Sequence, residues 1–194
     1  MLKINIKKYS IMKKIIIIGA GAMGSAFAVP CLENQNEVTL VGTHLEDDLI
    51  NNIKSNNNLH PALNIELPSK LKVEKFEKLK SILEGEVDII VAGVSSIGIE
   101  WFVKQIATNY KKNLPIILLT KGLAIEGDEL ITLSDKIKKL LKEKGHGEVN
   151  ISAIKGPCLA AGLAYKMRTG TVIANPDIKE TEKLKKIIST NYYS

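Results

Sequence analysis

A glycine-punctuated turn behind an uninterrupted isoleucine run constrains this chain more than any other feature. The segment reads Lys14-Ile15-Ile16-Ile17-Ile18-Gly19-Ala20-Gly21-Ala22-Met23-Gly24-Ser25-Ala26. Four consecutive isoleucines closed by a glycine make a strand buried on both faces. The small residues that follow open a helix. Gly19 permits a tight turn out of the strand, and Gly24 lets the helix lie close to the sheet. Gly21 carries no side chain that would hold an anion away from the backbone. The unpaired N–H groups and the positive dipole end of the helix then offer a seat for a pyrophosphate. A G-x-G-x-x-G pattern alone is a weak signal. Here it joins a buried strand to a helix at 22–33, and a second strand follows at 37–42. That context predicts a dinucleotide site rather than a structural glycine turn.

The rest of the chain repeats the rhythm. Short β-branched apolar runs predict strands at 14–19, 37–42, 87–93, 114–120, 149–155 and 170–175. Between them, helices are predicted at 22–33, 46–56, 76–84, 97–110, 134–144, 157–167 and 179–190, with Ser134 as an N-cap and Gly145 as a stop. Strands alternating with helices imply a doubly wound, Rossmann-type α/β fold with a mostly parallel sheet. Residues 56–71 break the pattern with a run of three asparagines at 56–58, His60-Pro61 and Leu67-Pro68. They predict a long loop with a short strand at 63–67. Loops of that length are often functional. Tyr192 and Tyr193 resemble the start of a further strand or a connection to another domain. Residues 1–11 read as a disordered or start-site extension before Met12-Lys13-Lys14, and 12–194 as one nucleotide-binding domain.

Composition narrows the function classes. The chain has 194 residues, 45% hydrophobic and 25% charged, with a net charge of +6. This suits a soluble globular domain with a full core. Lysines such as Lys136, Lys138, Lys139, Lys142 and Lys144 spread along predicted helices. They read first as a solvated face, and second as a field that draws anionic ligands. With a single arginine, Arg168, and no basic stripe interleaved with aromatics, nucleic acid is not the expected partner. No apolar run is long enough to span a bilayer. Cys31 and Cys158 lie far apart and predict free thiols in a reducing cytoplasm.

Candidate chemistry gathers at strand ends, where open α/β sheets bind ligands. Lys121, after the fourth predicted strand, is the expected polarising cation, although a strand-end lysine is often merely exposed. Ser95, in Val94-Ser95-Ser96, offers a hydroxyl to a ribose or a nicotinamide, and equally an N-cap to the next helix. Gly156-Pro157-Cys158 leads into a predicted helix start whose N–H groups suit an anion. A catalytic thiol at Cys158 is not expected, since no histidine accompanies it in sequence. His44, His60 and His146 lack metal-ligand spacing and read as ordinary loop or surface residues, so no metal is expected. The second strand ends Val41-Gly42-Thr43-His44 without the acid that holds an NAD ribose. This admits the 2′-phosphate of NADP and weakly favours NADPH, while the later Glu46 and Asp47 keep NADH open.

Together these motifs resemble the N-terminal domain of the NAD(P)-dependent glycerol-3-phosphate dehydrogenase family of prokaryotic type, from Met12 to the end. The glycine turn, the loop from His60-Pro61 to Leu67-Pro68, Thr120-Lys121-Gly122-Leu123 and Gly156-Pro157-Cys158-Leu159-Ala160 carry the resemblance. It implies reversible reduction of dihydroxyacetone phosphate to sn-glycerol 3-phosphate, a feed into phospholipid synthesis. It further implies that Gly19, Gly21, Ala22, Met23, Gly24, Thr43, Ser95, Lys121 and Ala160 meet the cofactor, and that Lys121, Gly156 and Cys158 meet the phosphorylated substrate. Cys158 stands where the family carries a hydroxyl residue, and Ala161-Gly162 where it carries a charged pair.

The family's C-terminal helical domain, which supplies a second lysine and holds the substrate phosphate, is not in this sequence. The chain is therefore expected to be incomplete for catalysis, and to self-associate through the apolar face that domain would cover. Two alternatives stand beside this reading. One is a non-catalytic NAD(P)-binding sensor or docking module. The other is a ketopantoate-reductase-like enzyme, which expects Asn-Gly at Lys121-Gly122.

Overall fold

The structure, a computed structural model, describes residues 12–111 and 114–194. The proposed extension at 1–11 lies outside the described residues. In chain order the elements are β1 (Lys14–Ile18), α1 (Ala22–Glu33), β2 (Glu37–Val41), α2 (Asp47–Ser55), β3 (Leu59–His60), β4 (Ile65–Glu66) and β5 (Lys72–Glu74). Then come α3 (Leu79–Glu84), β6 (Ile89–Ala92), α4 (Ile99–Ala107), β7 (Ile116–Leu118), β8 (Leu123–Glu126) and β9 (Glu129–Thr132). The chain closes with α5 (Leu133–Glu143), β10 (Ile151–Lys155), α6 (Ala160–Ala164), β11 (Val172–Ala174) and α7 (Ile178–Ile188).

Seven strands form one sheet in the order β11-β10-β7-β6-β1-β2-β5. Every neighbouring pair is parallel except β10 with β11. The isoleucine run explains the double winding. Ile15 and Ile17 point into the core on the side of α1, α6 and α7, where they join Phe27, Leu163 and Leu184. Ile16 and Ile18 point into the other core, with Phe102, Ile106 and Ile137 of α4 and α5. Alternate side chains of a strand face opposite ways, so one apolar run anchors both layers. Each buried isoleucine contributes about 1.5–3 kcal/mol relative to an exposed one.

All six predicted sheet strands are present, with slightly shorter bounds. The structure corrects the prediction in several places. β5 was not foreseen, because a three-residue edge strand carries too little pattern. Residues 123–132 fold as the hairpin β8–β9, whose two strands pair from Leu123 with Thr132 to Glu126 with Glu129. The cap of α5 is Thr132, not Ser134. The Thr132 hydroxyl accepts the N–H of Asp135 at 3.1 Å. Gly145 does end that helix, with φ +87 and its N–H on the Lys142 carbonyl. The helix predicted at 157–167 shrinks to Ala160–Ala164, which leaves Gly156-Pro157-Cys158 in the preceding turn. Tyr193 forms an isolated parallel bridge with Thr169 and packs edge-on against Phe27 at 6.3 Å.

Candidate nucleotide and substrate site

Because β10, β7, β6, β1 and β2 run parallel, their carboxyl ends share one edge of the sheet. Read in strand order, that edge presents Gly156, Lys121, Ser95, the glycine turn and Thr43. Strands lie about 4.8 Å apart, so the row from Thr43 to Lys121 covers three gaps, or about 14 Å. The chain reverses its winding between β6 and β1, where such folds open a ligand crevice. The predicted strand-end residues thus form one continuous row.

Each glycine of the turn has a distinct physical reason. Gly19 sits at φ +110, and a Cβ there would lie 2.7 Å from the carbonyl carbon of Gly93. A Cβ on Gly24 would lie 2.1 Å from the Gly19 oxygen. Strand end, helix and β6 therefore meet backbone to backbone. Gly21 differs: at φ -60 its Cβ would meet only Glu46 Oε1, at 3.8 Å. It caps α1 without a side chain, so nothing of the cap residue covers the first N–H groups of this twelve-residue helix. A cradle that only a side chain would fill fits a bound pyrophosphate.

The turn is gripped through Ala20. Its N–H donates to Glu46 Oε2 at 3.0 Å. Its carbonyl accepts the Ser25 hydroxyl at 2.8 Å and lies 3.0 Å from His60 Nε2. The Leu63 N–H donates to His60 Nδ1 at 3.3 Å, so the ring proton belongs on Nε2, which donates to Ala20. His60 is 1% exposed, which corrects the expectation of an ordinary loop histidine. The loop at 56–71, with its β3–β4 hairpin, thus packs its histidine under the glycine turn. Glu46 also accepts the Thr43 N–H at 2.7 Å, tying the end of β2 to the turn. Glu46, at the start of α2, thus spends one carboxylate oxygen on two backbone N–H groups. His44 and His146 are likewise engaged. His44 lies 5.1 Å from Trp101 in a cluster with Phe76, and His146 packs on Tyr110.

Ser95 caps a short 3₁₀ turn ahead of α4 without a side-chain bond, leaving its hydroxyl exposed. Ala22 and Met23 are half-buried at the start of α1, and Ala160 is half-buried at the start of α6, which packs along α1. At the other end of the row a small cleft gathers Met23, Lys121, Lys155, Gly156, Cys158 and Thr171. Lys121 is exposed and donates to the Gly156 carbonyl at 2.7 Å. Lys155 is half-buried and donates to the Thr120 carbonyl at 2.9 Å. Burial lowers the pKa of Lys155, and the charge of Lys121 lowers it further. Cys158 is buried, 5% exposed, and precedes the helix start rather than capping it.

Four predicted residues meet in this cleft. Ser95, Thr43 and the glycines lie further along the same edge, and Ala160 lies beside the cleft. Sequence reasoning singles out no role for Lys155, and it names His60 only as a loop residue and Glu46 only as an acid that keeps NADH open. Only the Glu46 acid left a usable signal, its place a few residues beyond the second strand. A groove of about 1230 Å³ opens at the opposite edge, beside Lys13, Asp88, Pro115 and Asn150, and touches none of the row. Among the described residues no cluster of three or more His, Cys, Asp or Glu is placed to hold a metal. No described helix is long and apolar enough to cross a membrane.

The family model for the N-terminus of NAD-dependent glycerol-3-phosphate dehydrogenase matches residues 14–181. An NADP(+)-dependent glycerol-3-phosphate dehydrogenase of Archaeoglobus fulgidus is 33% identical over 92% of this chain and 51% of its own length. A glycerol-3-phosphate dehydrogenase [NAD(P)+] of Mesoplasma florum is 31% identical over 93% of this chain and 52% of its own. The crystal structure of the Coxiella burnetii glycerol-3-phosphate dehydrogenase shares the fold with a TM-score of 0.79 at 24% identity. That match covers 94% of this chain and 52% of that one. The chain spans about half the length of the curated relatives it matches.

Proposed function

The chain belongs to the NAD-dependent glycerol-3-phosphate dehydrogenase family, matching its N-terminal domain, and from that premise we propose that it forms the nucleotide-binding half of such an enzyme. The reaction is reversible hydride transfer between NAD(P)H and dihydroxyacetone phosphate, giving sn-glycerol 3-phosphate in the cytoplasm. The observation that carries this reading is the row of strand-end residues on one sheet edge, with the open cradle at Gly21 and a lysine three strands from Thr43.

In this reading Gly19, Gly21 and Gly24 shape the pyrophosphate seat, and the first N–H groups of α1 bind it. Thr43 lies at the adenosine ribose. Ala22, Met23, Ser95 and Ala160 flank the rest of the cofactor. The nicotinamide, when bound, supplies or accepts the hydride. Lys121 contacts cofactor and substrate, and its fixed charge stabilises the oxygen on which negative charge grows. Gly156 and Cys158 border the substrate. Glu46 directs one carboxylate oxygen to two backbone N–H groups, so its structural task is to close the turn. That leaves NADPH favoured over NADH, a preference also carried by the name of the Archaeoglobus fulgidus relative.

The experiment is Lys121→Ala, measured for turnover of dihydroxyacetone phosphate and for NADPH binding. Loss of one such charge-stabilising group lowers turnover by about 10²–10³-fold, with nucleotide affinity within a few fold of the parent. A mutant that keeps its turnover removes the assignment. A chain that binds NADPH and turns over nothing, with or without Lys121, is the result expected of half an active site, and loss of dihydroxyacetone phosphate binding in Lys121→Ala then carries the test.

A further inference from the structure

Lys121 and Lys155 strap across each other at the ends of β7 and β10. Each ammonium donates to a backbone carbonyl directly beside the other lysine: Lys121 to Gly156, and Lys155 to Thr120. Many lysines of this chain pair with a carboxylate, as Lys13 does with Asp88 and Lys136 with Glu100. These two have no carboxylate partner among the described residues. Two like charges are thus held together, one of them half-buried, with only neutral dipoles to offset them. The lowered pKa of Lys155 reports the same strain between its burial and the charge of Lys121. An oxyanion arriving from solvent on the exposed side of the pair relieves that repulsion and gains two charge-assisted hydrogen bonds.

We propose that Lys155 is a second ligand-binding cation of the site, and that with Lys121 it seats the phosphate of a small phosphorylated substrate. The inference rests on the dehydrogenase reading for the identity of that substrate, but not for the anion itself. It supplies a phosphate contact from within this domain. Lys155 is held by the Thr120 carbonyl on one side, while its own carbonyl accepts the Thr171 hydroxyl at 2.6 Å, so the strand end is fixed. Gly156, at φ +111, turns the backbone away immediately after it, and Lys121 beside it stands exposed to solvent.

The test titrates inorganic phosphate, then dihydroxyacetone phosphate, against the full chain by phosphorus NMR line broadening. Lys155→Met keeps the apolar stem and removes the charge. It is expected to weaken both ligands about fivefold to tenfold, the loss of one charged hydrogen bond in a partly exposed site. Lys155→Arg is expected to stay within about twofold of the parent. Lys142→Gln, in the groove at the opposite sheet edge, is expected to change nothing. Unaltered phosphate binding in Lys155→Met overturns the proposal, as does an equal loss in Lys142→Gln, which would mark a diffuse basic field.

Should Lys155→Met fail to fold, the parent protein decides. Phosphate is expected to slow reductive methylation of Lys155 several-fold and leave Lys142 untouched, and equal rates with and without phosphate overturn the proposal. Reduced nucleotide binding is followed separately through energy transfer from Trp101, the only tryptophan. Absence of that transfer overturns the dehydrogenase reading while the phosphate data still judge Lys155.

Discussion

Gly21 and Gly24 stand three residues apart in one turn, yet alanine at each should fail in a different way. At Gly24 the new Cβ lies 2.1 Å from a backbone oxygen, so no side-chain rotation relieves it. Overpacking of this kind costs about 1–3 kcal/mol. For a protein of this size that lowers Tm by about 2–12 °C. At Gly21 the new Cβ meets only Glu46 Oε1 at 3.8 Å, an ordinary contact, and φ is -60. Alanine restricts the unfolded chain and stabilises by about 0.4–1 kcal/mol. It is also a poorer N-cap than glycine, which costs a similar amount. The two nearly cancel, so Tm should move by less than about 2 °C. That same Cβ, however, stands in the pyrophosphate cradle. A forced contact of about 1–3 kcal/mol weakens nucleotide binding about 5- to 150-fold. Thermal melts and NADPH titration followed through Trp101 measure both quantities. A Gly21→Ala protein that binds NADPH like the parent refutes the placement of the pyrophosphate. A Gly24→Ala protein with unchanged Tm refutes the packing argument.

Further outcomes follow from the same contacts. His60→Ala removes one of two donors to the Ala20 carbonyl, which keeps the Ser25 hydroxyl, while the Leu63 N–H keeps the His60 carbonyl, so Tm should fall by about 1–6 °C, from a loss of about 0.5–1.5 kcal/mol. A melt within 1 °C of the parent would show that the loop does not support the turn. Burial works against the charge of Asp88, but the Lys14 N–H and the Lys13 ammonium outweigh it and hold its pKa below the usual carboxylate value. Its contribution to stability is therefore full above the unfolded pKa and fades as pH falls through the folded one. Asp88→Asn should flatten the acid limb of a Tm-against-pH curve, and an unchanged limb would assign acid unfolding elsewhere. Exposed Leu159, Met167, Val172, Leu123, Ile125 and Leu130 should drive self-association, seen as a molecular mass that rises with concentration in sedimentation. A monomer at all concentrations would count against these side chains as an interface.

The parts legible in the sequence are those fixed by local pattern. The isoleucine run announced a strand buried on both sides, and the structure divides it two and two between the cores. The strand-end positions of Lys121, Ser95 and Gly156 followed from periodicity alone, because a parallel sheet sends every carboxyl end to one edge. Short edge pieces such as β5, and the exposed hairpin β8–β9, carry too few residues for a period to emerge. Cap identity slipped from Thr132 to Ser134 because both are good caps and only backbone direction separates them.

The three roles that sequence alone does not show share a different cause: each acts across a gap that sequence distance hides. His60 is separated from Ala20 by forty residues, and Lys155 from Thr120 by thirty-five. A lysine ending an apolar strand reads as the point where the chain meets solvent. Its meaning changes only when β10 is seen to pair with β7, which sets Lys155 opposite the strand that ends in Lys121. Glu46 is the sharper case. The absence of an acid at the end of β2 was read as an electrostatic statement about the ribose pocket. Yet the carboxylate arrives from α2 and binds the N–H groups of Ala20 and Thr43. An acid bonded to two backbone donors holds its charge in place, whereas a free strand-end acid would turn to the ribose. Glu46→Gln should therefore loosen the turn, weakening NADPH and NADH together. A mutant that instead gains NADPH affinity at the expense of NADH would identify Glu46 as the ribose acid after all.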